Sequence, residues 1–369
     1  MRKIFILGGS DLQLDLILEA KKMFFYTIVL DMNKKCIGAK WCDEFLPIDI
    51  ADKEFVLEKA KEYKIDVILT SATELGNLTA CYVGEKMGLH INSYQTAIDT
   101  TNKIFMKNVL LKHNITTAKH KVIENKKELL EWDTFPCIIK PSDSSAGRGL
   151  SYITSKKELH SSYKKAQKYT TDKKIIIEEY IKGKQYSIET ISTDSKHQII
   201  AIDKENIHDV PHIMEVSHTI PAKLNRQKEN EISTLANKIL NAFIIKFGAA
   251  HIEIRITDSG KIYVVELASR TGGMRTEMIN LAYGVSYSQL LLLSSMNIQF
   301  KVKTNKRNTV KCNFIISYQA YQKYKKLKSN DKYILFEPFP IPHVKKGFLA
   351  EHIGKSKGYY YLLKKDYLL

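Results

Sequence analysis

From Ala249 to Thr257 the chain alternates strictly: His251, Glu253 and Arg255 fall on one side, Ile252, Ile254 and Ile256 on the other. A period of two marks a strand with one polar and one buried face. Asp258-Ser259-Gly260 supplies turn chemistry, and Ile262-Tyr263-Val264-Val265 resumes a strand ending at Glu266, so the segment reads as a β-hairpin. In a regular hairpin Glu253 and Glu266 share a face only if the loop between the strands holds an even number of residues, and that register is predicted. Paired carboxylates on a rigid sheet are hard oxygen ligands, suited to Mg²⁺ bridging the phosphates of a nucleotide. The segment Ser269-Arg270-Thr271-Gly272-Gly273 follows at once and places a cation and small residues beside them.

Upstream, Phe135-Pro136-Cys137-Ile138-Ile139-Lys140-Pro141 is a short apolar strand ending in a lysine. The loop from Ser142 to Gly149 follows, with Ser144, Ser145, Gly147 and Gly149 as small residues and Arg148 among them. Small residues let backbone N–H groups approach an anion, and Lys140 adds a point charge. No Gly-Lys-Ser/Thr follows, so this is not a Walker A loop. Ile175-Ile176-Ile177 is a buried strand that runs into the polar hinge Glu178-Glu179-Tyr180-Ile181, with Gly183 after it. Thr100, Thr101 and Asn102 cap a helix predicted over Ile104 to Leu111, which aims Lys103 at the same ligand.

In this order and spacing the segments resemble the ATP-grasp superfamily over about residues 1 to 300. The resemblance implies that Lys103 and Lys140 bind ATP phosphates under the loop Ser144, Ser145, Gly147, Arg148 and Gly149. It implies that Glu178 and Glu179 with the backbone of Ile181 hold adenine, and that Gln185 stands where the family places a ribose-binding Glu or His. Glu253 and Glu266, 13 positions apart, match the acids that hold Mg²⁺ or Mn²⁺. Many members carry an Asn two positions after the second acid, where this chain has Ala268. The Glu266-to-Arg270 spacing and Ser217-His218-Thr219-Ile220-Pro221-Ala222 look instead like the carbamoyl-phosphate-synthase-like branch that includes L-amino-acid ligases. In that branch Arg270 and His218, with His251, would stabilise the transferred phosphoryl group. The implied activity is ATP-dependent joining of a small carboxylate to an amine through an acyl phosphate. An ATP-dependent carboxylase using bicarbonate, a nicotinamide-dependent oxidoreductase and a non-catalytic ATP sensor remain open as alternatives.

Arginine usage points to the same region. Only seven of the 57 basic residues are Arg, yet Arg148, Arg255, Arg270 and Arg275 all fall in the loop or about the hairpin. A planar guanidinium suits phosphate or carboxylate, which makes Arg275 a candidate for a substrate carboxylate. Arg255 shares a face with Glu253 and has a simple pairing role open to it.

The first hundred residues read as a Rossmann-like α/β domain, with a strand at Lys3–Leu7, a helix near Leu12–Lys22, and strands at Thr27–Asp31 and Asp66–Thr70. Gly8-Gly9 lacks the full dinucleotide fingerprint, so Asp31 is only weakly supported as a ribose ligand. Gly8, Ser10 and Glu74 are expected at the carboxyl edge of the sheet, where Ser10 and Glu74 would meet the acceptor substrate. The expected fold class is thus α/β and α+β. A pre-ATP-grasp domain covers 1–100, an ATP-grasp domain 101–304 with a lid at 113–185 and a catalytic sheet at 186–300, and a small strand-rich appendage 305–369.

A net charge of +17 could advertise nucleic acid, but the lysines are dispersed, with no Arg-rich tract or aromatic RNA motif, so no nucleic-acid partner is expected. No run of eighteen apolar residues exists, and Lys3 leads into a strand rather than a signal-peptide core. We expect no membrane partner and a cytoplasmic homodimer. The five scattered cysteines look like reduced structural thiols.

Overall fold

A computed structural model describes residues 1–208, 213–305, 308–330 and 332–364. Strands Lys3–Leu7, Tyr26–Leu30, Glu44–Leu46 and Val67–Leu69 form a parallel sheet in which Lys3–Leu7 lies between Tyr26–Leu30 and Val67–Leu69. Helices Asp11–Lys22 and Lys53–Tyr63 cross over between them, as the βαβ pattern requires, and helix Glu74–Met87 follows the last strand. Asp31 accepts the Gly9 and Asn33 N–H groups at 2.8 and 2.7 Å, so its carboxylate braces its own loops.

A second sheet, fully antiparallel, lies in the segment expected to form the lid: His120–Ile123, Ile175–Glu179, Cys137–Pro141 and Ser151–Ile153, in that spatial order. Alternation sorts its side chains. Cys137, Ile139, Ile175 and Ile177 pack with Leu129, Leu159 and Tyr163 from the lid helices. Ile138, Lys140 and Glu178 are left on the other face, and all three line a deep cleft.

The largest sheet has eight antiparallel strands, ordered Ile262–Ala268, Gly248–Ile256, Lys184–Thr193, Lys196–His208, Met214–Ile220, Val310–Phe314, Tyr359–Lys364 and Tyr333–Phe336. The tail beyond residue 304 is therefore not an appendage. Val310–Phe314 pairs directly with Met214–Ile220, because Val310, Cys312 and Phe314 carry apolar side chains into the same core as Ile220.

One face of this sheet is apolar over its first strands. Ile188, Ile252 and Ile254 pack on Ile232, Ala236, Ile239 and Leu240, the helical stripe of Arg226–Ala242. Each such buried aliphatic side chain contributes roughly 1.5–3 kcal/mol, so an acid at Ile252 would unseat the helix. The opposite face collects Gln185, Ser187, Glu189, Asp203, Glu205, His251, Glu253 and Arg255, all buried except Glu253. Helix Asp11–Lys22 joins the parallel sheet to the same core as helix Tyr287–Ser295, so the first domain docks on the largest sheet.

The hairpin departs from the predicted register in one respect. Ile256 pairs with Ile262, leaving five residues, 257–261, in the loop, an odd number. Ile254 then faces Val264, but Glu253 faces Glu266. Val265 is the extra residue of a β-bulge, and the bulge returns the two acids to one face.

Candidate active site

The lid, the parallel-sheet domain and the polar sheet face enclose a cleft of about 930 Å³, within the range of small-molecule sites. Glu253 and Glu266 stand opposite each other on its floor, with side chains 20% and 27% exposed, so both present oxygens to the open space. Burial opposes the charge on Glu266, but Lys103, Lys140 and Arg270 hold its carboxyl below the usual range. Two opposed carboxylates facing a cleft fit a hard divalent cation.

Lys103 is aimed by the helix it opens. Asn102 caps helix Lys103–Lys112 by accepting the Ile104 N–H at 2.9 Å, and the Lys103 N–H donates to Ser142 O at 2.9 Å. The Lys103 ammonium then reaches Ser144 O at 2.7 Å and Glu266 Oε1 at 3.4 Å, tying the small-residue loop to the floor. In that loop Gly147 has φ +70°, a left-handed conformation that residues with a Cβ adopt at a cost. Arg148 donates from Nη2 to Ser145 Oγ at 3.0 Å, folding over the loop. Ser142 is pinned to Asp172 at 2.7 Å, which anchors the loop's base.

Glu178 faces the cleft between two lysines, Lys140, which donates to its Oε1, and Lys107, 3.0 Å from its Oε2. Burial disfavours this carboxylate, yet the two ammonium groups hold it far below the ordinary range. Both oxygens are thus engaged by lysines rather than open to an adenine amino group. Glu179 turns outward and accepts the Lys119 N–H at 2.8 Å. Ile181 O accepts from Arg255 Nη1 at 2.9 Å, while Arg255 Nε donates to Gln185 Oε1 at 3.0 Å and the guanidinium lies over the Tyr180 ring. Arg255 therefore organises the hinge instead of pairing with Glu253. Gln185 Nε2 bonds Glu205 at 2.7 Å and Glu253 at 3.0 Å.

His251 sits between two acids, with Nδ1 2.5 Å from Glu189 Oε1 and Nε2 3.4 Å from Glu253 Oε1. Burial works against a charged ring, but Glu189 and Glu253 overcome it and raise the imidazole to about 10. An imidazolium has no lone pair to offer a metal, so it acts as a donor to Glu253. Gly272 makes this approach possible: a Cβ there would stand 2.3 Å from Glu189 Oε1.

Arg275 does not reach an open carboxylate site. Its guanidinium is buried against Asp203 at 3.0 Å, against Glu205, and against Gly273 O at 2.9 Å. It also donates to His218 Nδ1 at 3.0 Å, which assigns the ring proton to Nε2, the atom 2.9 Å from Glu215. Burial, then Arg275, push the His218 ring well below its usual range, so it is neutral. His218 is fully buried and lies beneath the wall of the cleft rather than on it, and Gly149 is likewise off the wall. Ser10 is exposed at the start of helix Asp11–Lys22, and its neighbour Asp11 lines the cleft in its place. Glu74 and Arg270 both line it, and they pair with each other.

Four contributors escaped the sequence reading. Lys107 lies one helical turn after Lys103, a spacing that signals a shared face. Glu189, Asp203 and Glu205 fall at alternate positions of their strands, but only the strand order sets them beside His251, Gln185 and His218.

Residues 133–278, which include the lid strands, the hinge and the hairpin acids, match a family model described as an ATP-grasp domain. Over that segment the chain carries an ATP-grasp domain. By superposition the likeness spans nearly the whole chain but is low in identity. The L-amino acid ligase from Bacillus licheniformis superposes with a TM-score of 0.81 at 18% identity, covering 99% of this chain and 93% of that one. The N5-carboxyaminoimidazole synthetase from Staphylococcus aureus, solved with ADP, gives 0.80 at 17%, covering 100% and 94%. By sequence, the formate-dependent phosphoribosylglycinamide formyltransferase of Prochlorococcus marinus subsp. pastoris is 30% identical over 172 residues, 45% of this chain and 44% of that protein. The match thus spans less than half the length of that relative. Among the described residues no helix is long and apolar enough to cross a membrane.

Proposed function

We propose that this ATP-grasp chain is an ATP-dependent ligase that joins a small carboxylate, such as an amino acid, to an amine, releasing ADP and phosphate. The observation that carries the reading is the convergence of Glu253 and Glu266, directly opposed, with Lys103 and Lys140 on the wall of one cleft. Glu253 and Glu266 would hold Mg²⁺ or Mn²⁺, which supplies charge neutralisation to the triphosphate. Lys103, Lys140 and the loop Ser144–Gly149 bind the phosphates, and the backbone from Glu179 to Ile181 lies where adenine would sit. Gln185, the residue expected at the ribose, instead ties Arg255 to Glu205 and Glu253. Glu178 keeps Lys140 charged and in place.

In the first step a carboxylate oxygen of the substrate attacks the γ-phosphorus, and the bond to the ADP oxygen breaks, ADP leaving with the electron pair. In the second the amine nitrogen attacks the acyl carbon, the C–O bond to phosphate breaks, and a proton is released with the amide. Arg270 stabilises charge on the transferred phosphoryl oxygens. His218 works at one remove, holding Arg275 and Glu215. The superposition on an L-amino acid ligase over nearly the whole chain supports the fold required, and the limits expected for the first domain and the lid, the cytoplasmic location and the homodimeric state belong to the same proposal.

The test is ADP release with ATP, Mg²⁺ and pools of amino acids, small carboxylic acids and amines. Turnover that needs a carboxylate and an amine together supports the ligase. Turnover with bicarbonate alone would replace it with a carboxylase, and ATP binding without any ADP release would leave a sensor.

A further inference from the structure

The face of the largest sheet turned away from the cleft carries two helices. Arg226–Ala242 covers Ile188, Ile252 and Ile254, and Tyr318–Lys328 sets Tyr324 against Tyr360, ring centroids 5.3 Å apart. Between the strands those helices cover lie Lys196–His208, Met214–Ile220 and Val310–Phe314. Their cross-strand pairs on this face are polar. Lys204 faces Thr219 and Thr219 faces Lys311, while in the next row Asn206 faces Ser217 and Ser217 faces Asn313.

Neighbouring strands lie roughly 4.8 Å apart, so Lys204 and Lys311 stand about 10 Å apart at Cα, on either side of Thr219. Both side chains are half-buried, and Ser217 and Asn313 beneath them are buried. Lys323 joins them from helix Tyr318–Lys328. Burial, then Lys323, then Lys204 hold the Lys311 ammonium below its ordinary range, and no carboxylate counters them. None of the three lysines has an ion-pair partner among the described residues. Like charges gathered without a counter-ion repel one another, and an anion set between them removes that repulsion.

We propose that Lys204, Thr219, Lys311 and Lys323 form a binding site for a phosphate-type anion, the free ion or the phosphate group of a small metabolite, on the sheet face opposite the cleft. Ammonium groups act as point charges for a compact, multiply charged anion, and the hydroxyl and amide groups of Thr219, Ser217 and Asn313 add donors. A planar carboxylate is better matched by the fork of an arginine, and each cation of this cluster is a lysine. The field around the site favours the same charge: Lys325, Lys326 and Lys328 are exposed on the same helix, and of these only Lys328 is paired, with Glu337 at 2.8 Å. None of Lys204, Lys311 and Lys323 lines the cleft, so this site is separate from the one proposed for ATP.

The experiment is calorimetric titration of the full chain with inorganic phosphate and with pyrophosphate, at fixed ionic strength, with Mg²⁺ and β,γ-imido-ATP added to fill the cleft. Saturable binding to a single class of site is expected. Lys311→Gln and Lys323→Gln should each weaken it by about fivefold or more, and the pair together by more than either. Lys325→Gln, which removes an exposed charge from the same helix, should change it by less than about twofold. Every variant should keep wild-type affinity for the ATP analogue. In phosphate-free buffer Lys311→Gln should melt no lower than wild type, because a repelled charge is gone; should it fail to fold, Lys323→Gln, on the exposed flank of the helix, carries the test. Tighter binding of ribose 5-phosphate or adenosine monophosphate than of the free ion assigns the site to a phosphorylated metabolite, and the reverse order assigns it to the ion itself. Absence of phosphate binding outside the cleft overturns the proposal, as does equal weakening by Lys325→Gln and Lys311→Gln, which marks diffuse attraction. Binding of single-stranded RNA with none of phosphate or pyrophosphate overturns the ligand class.

Discussion

Glu253 and Glu266 oppose each other across the hairpin only because Val265 bulges out of register one residue earlier. Two acids 13 positions apart would otherwise fall on opposite faces of a hairpin with a five-residue loop, and the cleft would contain one carboxylate instead of two.

Replacing Glu266 by Ala should lower ADP release by at least about a hundredfold, since one of two preorganised charges at the phosphoryl site is gone. Lys103 retains its bond to Ser144 O, so the thermal midpoint should change little. Parallel melting curves and ADP assays check both halves, and chelation of divalent cations in the wild type should reproduce the activity loss.

Glu178→Gln would strand Lys107 and Lys140, both buried, without a full counter-ion. The expected cost is about 3–5 kcal/mol, the usual penalty for breaking a buried pair from one side. Adding Lys107→Met should recover part of that loss in urea unfolding. If Glu178 served adenine alone, the single variant would raise the KM for ATP and leave stability intact.

Arg275→Gln should destabilise by a similar amount, about 3–5 kcal/mol, because Asp203 and Glu205 lose the cation that offsets their burial. Burial already pushes Asp203 up to about 7, even with Arg275 opposing it. Unfolding measurements distinguish this structural role from a substrate contact, which would appear as a KM effect in a protein of wild-type stability.

His251 makes stability depend on pH in a definite direction. Its folded value, about 10, lies above the ordinary 6.5, so the stabilisation it contributes is fully present below about pH 6.5 and is lost as pH rises towards 10. On the order of a few kcal/mol should disappear over that window. The comparison is urea unfolding of wild type and His251→Gln at both ends. The gap between them should be wide at the acid end and narrow at the alkaline end.

The hairpin, the loop after Lys140 and the helix begun by Lys103 were legible because each is written in local periodicity or a cap. Strand Lys3–Leu7 and helix Asp11–Lys22 were readable on the same ground, with ends within a residue or so. The bulge at Val265 was not, since nothing in the alternation of Ile262 to Glu266 says which residue will be skipped. Nor were the partners of Arg275 and His218, because Asp203 and Glu205 reach them only through the order of strands in space. The tail misled for a related reason. Its Lys- and Tyr-rich strands look peripheral until Tyr361 is seen paired with Cys312 inside the sheet.

Strand Met214–Ile220 finds its outer neighbour, Val310–Phe314, about ninety residues further along the chain. During synthesis on the ribosome the acidic face of the cleft is therefore already made while that flank of the sheet is still bare. Such a long-range closure slows folding and leaves an adhesive border on the nascent chain. A chain interrupted before residue 310 would carry every proposed ATP contact and still be prone to clump.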